Sequence, residues 1–122
     1  MQRKDFESLV QRAVAELPRE FKDRLKNVAI LVEDYPSEEL LERMEVEDDE
    51  TLFGLYDGVP LTERGHFDVP LYPDRILLFQ GPIEEACDTP EEILEEVRIT
   101  LIHEIGHFFG FDDESLEERG YD

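Results

Sequence analysis

The sequence predicts a single α+β domain, and three observations carry the prediction. Apolar residues recur at helical spacing near the start of the chain and again towards its end. Between them lie three short runs rich in Val, Ile, Leu, Phe and Tyr, bounded by Pro, Gly, Asn or Asp. The length, 122 residues, suits one domain with a small core, and no repeat, low-complexity linker or compositional break divides it.

Each element has its own signal. Phe6, Leu9, Val10, Ala13, Val14 and Leu17 form one apolar stripe, which predicts a helix over 5–17 with Asp5 at its start and Pro18 at its stop. Residues 27–33 predict a strand. Val28, Ile30 and Val32 share one face, and Ala29 and Leu31 make the other face apolar too, so this strand is expected to be central and covered on both sides. Pro36-Ser37-Glu38-Glu39 opens a short helix reaching about Met44, and the acidic stretch 45–50 reads as a loop. Thr51 to Tyr56 predicts a second strand, turned by Asp57-Gly58. Residues 58–74 contain Pro60, Gly65, Pro70 and Pro73, too much punctuation for regular structure. A connection of that length inside a compact domain is often functional. Arg75 to Gln80 predicts a third strand, closed by Gly81-Pro82.

The last large element is the best specified. Thr89 stands at the cap, Pro90 in the first turn, and Glu92 three residues after the cap, the arrangement of a capping box. The helix should run to about Phe109, with Leu94, Val97, Leu101, Ile105 and Phe108 on its core stripe and Gly110 as its left-handed end.

Charge narrows the partners. The chain has 33 Asp and Glu against 12 Lys and Arg, a formal net charge of -21. Such a field repels phosphate backbones, which argues against nucleic acid and anionic membrane. It favours cationic or neutral ligands, although most of these carboxylates are expected simply to solvate helix faces. The single cysteine, Cys87, cannot form an internal disulfide. The charged N-terminus is followed by no apolar signal core, and no run of 18 or more apolar residues occurs. A cytoplasmic protein is the expectation.

Chemistry concentrates in His103-Glu104-Ile105-Gly106-His107, inside the capped helix. Positions i and i+4 lie about 40° apart around a helix axis, so both imidazoles project side by side and can grip one ion. Zinc accepts imidazole nitrogen and four tetrahedral positions, one left open when it is catalytic. Two histidines leave room for a third protein ligand and for water. Gly110 lets the chain turn sharply, and Asp113 can then return to the ion, with Asp112 as the competing donor. Glu104 sits roughly 100° around the helix from His103, beside the metal rather than on it. There it can accept a proton from the attacking water and deliver it to a leaving amine.

The stretch HEIGHFFGFDD, residues 103–113, matches the pattern HExxHxxGxxD. Together with FGLYDGVPLTERG at 53–65, RILLFQGPI at 75–83 and the acidic helix leading into the motif, it resembles the small bacterial zincin-like metallopeptidases, single-domain minimal proteases. The resemblance spans about residues 5–118. It implies a short mixed β-sheet packed against an active-site helix and a backing N-terminal helix. It implies Zn2+ held by His103, His107 and Asp113, favouring Asp113 over Asp112, with Glu104 catalytic and peptide bonds as substrate. It also makes strand 51–57 the candidate edge for an extended peptide or unfolded protein substrate. The chain departs from the larger metzincins, which carry His in place of Asp113 and a methionine turn after the motif; here the methionines are Met1 and Met44. A carboxylate ligand donates charge to the ion, so a weaker Lewis acid and modest activity are expected.

Other residues have simpler roles open to them. Tyr121 is a candidate oxyanion donor, but a frayed C-terminal residue is the simpler expectation. His66 reads as an exposed loop residue, and Cys87 as a small buried side chain or a free thiol, without a helper base. Glu96 and Thr100 share the helix face of the histidines and are candidate supporting groups, with a solvated position as the alternative. The rival to a peptidase is an acidic module that binds metal without proteolysis, presenting a peptide-binding or regulatory surface.

Overall fold

A computed structural model describes residues 1–43, 52–58 and 74–110. The first helix, α1 (Arg3–Ala15), buries Phe6, Val10 and Ala13, so the predicted stripe is its core face. It starts two residues earlier than expected. Gln2, in extended backbone and without a side-chain cap, precedes it, and Asp5 lies in the first turn, where a carboxylate suits the positive end of the helix dipole. The helix also ends two residues earlier than expected, at Ala15, and after Pro18 the chain turns at once into the short α2 (Arg19–Lys22) and a 3-10 turn (Asp23–Leu25), seating Phe21 in the core.

Among the described residues, three strands form one mixed sheet in the order β1–β3–β2. β1 (Val28–Glu33) runs parallel to β3 (Asp74–Phe79), and β2 (Gly54–Asp57) runs antiparallel to it. The central strand is therefore β3, in which Ile76, Leu77, Leu78 and Phe79 are all buried. This corrects the expectation for residues 27–33. Val28, Ile30 and Val32 pack against the core but are only half-buried, and Leu31 is 42% exposed, so β1 is partly covered on one face and open on the other. An apolar run shows that a strand can be buried on both faces, not that a second layer exists to bury it.

The short helix after Pro36 is α3 (Glu38–Arg43), with Leu40 N–H donating to Ser37 Oγ as predicted for a helix start. Its expected end at Met44, the acidic stretch 45–50, Thr51 and most of the Pro-rich connection, 59–73, lie outside the described residues. Gly81-Pro82 does not close β3 in a loop. Phe79 leads straight into α4 (Gln80–Ala86). Pro82 is tolerated there because the first turn of a helix leaves its N–H groups without intrahelical partners anyway. A Cβ at Gly81 would lie 2.2 Å from the ring of the exposed Tyr35, which would have to move, and the Gly81 N–H donates to Asp34 O at 2.8 Å.

The long helix α5 (Pro90–Phe108) has both halves of its capping box: Glu92 N–H to Thr89 Oγ1, and Thr89 N–H to Glu92 Oε2, each 3.2 Å. Its buried face is wider than the predicted stripe. Ile93, Val97, Leu101, Ile102 and Ile105 are buried, whereas Leu94 and Phe108 are only half-buried. α5 packs across α1 and against β2 and β3, so the core lies between the two long helices and the sheet. Each side chain fully buried there stabilises the fold by about 1.5–3 kcal/mol. Among the described residues, no helix is long and apolar enough to cross a membrane.

Candidate active site

The C-terminal turns of α5 gather the predicted triplet. His103 is half-buried, His107 is exposed, and their rings lie 6.1 Å apart at an interplanar angle of 17°. Helical spacing sets this arrangement; no tertiary contact is needed to bring the two rings to one face. A ring nitrogen about 2.0–2.1 Å from zinc puts the ring centre roughly 3.2 Å from the ion, so two rings on one tetrahedral zinc have centres roughly 5.2 Å apart. The observed 6.1 Å is somewhat wider, so the rings would have to draw together slightly to share one ion. Among the described residues, no third His, Cys, Asp or Glu joins them in a group able to hold a metal. Asp113 and Asp112, with His66 and Tyr121, lie outside the described residues. Gly110, at φ 88, ends the helix in the left-handed conformation expected of it, as the chain leaves towards those aspartates.

Glu104 is half-buried between the sheet edge and the histidine face. Burial pushes its carboxyl above the ordinary carboxylate range; the Tyr56 N–H and the nearby His107 and His103 pull the other way and only partly offset it. Its Oε1 accepts a hydrogen bond from Tyr56 N–H at 3.2 Å, which joins β2 to the helix. Gly54 makes that approach possible. A Cβ there would lie 2.7 Å from Thr100 Cγ2 and 3.0 Å from Leu77 O. Two residues on, the Tyr56 ring stacks on Phe108 at 3.9 Å and 15°, meets Phe109 edge-on at 6.3 Å, and donates its hydroxyl to Asp74 Oδ2 at 3.0 Å. The Arg24 guanidinium lies over the Phe109 ring at 4.6 Å, which extends the cluster to the turn before β1.

Sequence reasoning misses Tyr56, Phe108 and Gly54 as parts of this site, because their signals are weak. A glycine inside a strand marks a close backbone approach, but nothing in the sequence says what approaches it. The supporting roles expected on the helix divide. Thr100 is buried against Gly54, so it seats β2 rather than facing the histidines, while Glu96 is half-buried near Cys87. Cys87 is half-buried at the end of α4, and burial, then Glu96, Glu92 and Asp88, push its thiol up. The open groove of about 790 Å3 between α1 and β1, lined by Val10, Val14, Leu25, Ile30 and Val32, contains none of these groups.

The chain is similar to a solved structure described as a conserved hypothetical protein from Thermo thermophilus, at 27% identity and TM-score 0.56, covering 97% of this chain and 99% of that one. No curated protein matches it. The family model for zincin-like metallopeptidases matches residues 25–121, which include β1, β2, β3 and all of α5. A match over that span, on a small mixed sheet with the His-Glu-His triplet on its longest helix, places the chain in the zincin-like metallopeptidase family.

Proposed function

We propose that the protein is a zinc-dependent peptidase that hydrolyses extended or unfolded polypeptide, with His103, His107 and Asp113 as zinc ligands and Glu104 as the general acid/base. One observation carries the reading: on a single capped helix, two nearly parallel imidazoles stand beside a half-buried carboxylate that reaches β2. When bound, zinc supplies Lewis-acid chemistry, polarising the scissile carbonyl and making water a better nucleophile. The rest falls to the chain. Glu104 takes a proton from the attacking water and passes it to the leaving amine. β2 offers an edge on which an extended peptide can lie beside the histidine face. A carboxylate ligand would donate charge to the ion, so modest activity is expected.

Metal content by mass spectrometry, measured beside a peptide-library cleavage assay, tests the proposal. About one zinc per chain, lost in His103→Ala, together with cleavage abolished by Glu104→Gln, is the expected result. Zinc binding with no cleavage would favour a metal-binding, peptide-presenting module instead. No zinc uptake would remove both readings.

A further inference from the structure

The sheet register fixes which backbone groups of β2 face away from β3. Phe79 N–H donates to Phe53 O at 2.9 Å, so this pair is hydrogen-bonded across the strands. In an antiparallel ladder, bonded and non-bonded pairs alternate. Leu55–Leu77 and Asp57–Arg75 are then the other bonded pairs, and Gly54 and Tyr56 turn their N–H and C=O groups away from β3. The N–H that an edge-bound peptide would meet at Tyr56 is the one that Glu104 Oε1 now accepts.

We propose that this N–H is a shared donor: Glu104 holds it in the peptide-free protein, and an extended peptide adding to β2 takes it with a backbone carbonyl, releasing Glu104. The inference rests on the peptidase reading, because it assigns a use to the released carboxylate. Two features support the exchange. At 3.2 Å the bond lies at the long end of the ordinary N–H···O range of about 2.7–3.2 Å, and its acceptor is a side chain that can rotate away. The strand is held elsewhere, by Gly54 against Thr100, by the Tyr56–Phe108 stack and by the Tyr56 hydroxyl on Asp74. The N–H therefore keeps its direction while the rotatable glutamate side chain moves. The proton carrier is thereby freed only when a peptide is in place.

The test uses metal-free protein in chelator, with a capped hexapeptide of alternating valine and lysine as the probe, and follows the Tyr56 amide by 15N–1H NMR. Glu104→Ala removes the competing acceptor, whereas Glu104→Gln keeps an acceptor oxygen; both lose the same charge. The expected result is that Glu104→Ala binds the peptide about two- to tenfold more tightly than Glu104→Gln, the equivalent of one net hydrogen bond. Before peptide is added, the Tyr56 amide should also exchange with solvent faster in Glu104→Ala than in Glu104→Gln. Equal affinities, tighter binding by Glu104→Gln, or a Tyr56 resonance unmoved at saturation would overturn the shared donor. The peptidase reading is judged separately, by cleavage with the zinc-loaded protein. Failure to cleave combined with the expected affinity order would leave the shared donor standing and remove the peptidase.

Discussion

Gly54 and Thr100 are in contact across the β2–α5 interface, with room for a hydrogen at residue 54 and none for a methyl: a Cβ would sit 2.7 Å from Thr100 Cγ2. The strand that reaches Glu104 is thus held close by the absence of a side chain. Gly54→Ala is expected to destabilise the protein by about 1–3 kcal/mol, the usual cost of overpacking. Thr100→Ser, which removes the opposing methyl, should recover part of that loss in the double variant but not all, because Leu77 O lies 3.0 Å from the same position. Urea denaturation of the two single variants and the double variant measures the coupling; strictly additive effects would show that the two residues do not meet.

Glu104→Gln should make the metal-free protein more stable at neutral pH. Burial raises the folded carboxyl's proton affinity above that of the unfolded chain, so folding favours the neutral form. The contribution of such a group is fully present below its unfolded pKa and is lost as pH rises through its folded pKa. At pH 7 the wild type bears the cost of a buried charge that glutamine lacks. In thermal melts with chelator, the variant is expected to melt a few degrees higher at pH 7, and the difference should shrink as the pH falls towards the acid range in which the carboxyl is protonated in both states. A wild type more stable than the variant at pH 7 would mean that the Tyr56 N–H and the histidines outweigh desolvation.

Cys87 should be a slow nucleophile. Burial and the carboxylates of Glu96, Glu92 and Asp88 push its thiol above the ordinary value, leaving less thiolate at any working pH. Its alkylation by iodoacetamide, followed against pH, should reach half-maximal rate at higher pH than that of an unstructured cysteine peptide. Glu96→Gln should move the midpoint down. Alkylation at the peptide's rate would contradict the burial.

The cap at Thr89 should matter to folding and not to metal binding. Thr89→Ala is expected to cost about 1 kcal/mol. Because Thr89 and Glu92 complete each other, the second substitution, Glu92→Ala, should cost less in the Thr89→Ala background than in the wild type. Zinc affinity, measured by titration at a temperature where all variants are folded, should stay unchanged, since the histidines lie at the opposite end of α5.

Much of the fold is legible in the residues because the signals are local. The capping box, the Pro at the helix start and Gly110 at its end all act within a few positions, so the sequence predicts α5 with its limits nearly right. α1 follows from its stripe for the same reason. Gly81-Pro82 shows the limit of punctuation as a guide, since a first helical turn tolerates both residues. The expectation for β1 fails because coverage depends on what the rest of the chain places over a strand, and Leu31 looks the same in sequence whether or not anything lies above it.

The candidate site divides along the same line. Sequence alone set His103, Glu104 and His107 on one side of a helix, since a spacing of four residues is geometry the helix imposes everywhere. Only the tertiary structure decided that Tyr56, 48 residues away in the chain, donates its N–H to Glu104, and that Gly54 and Thr100 hold the strand there. Those contacts depend on sheet order, register and the close approach of two elements, which arise from the packing of the whole chain and leave no periodic trace in any short stretch of it.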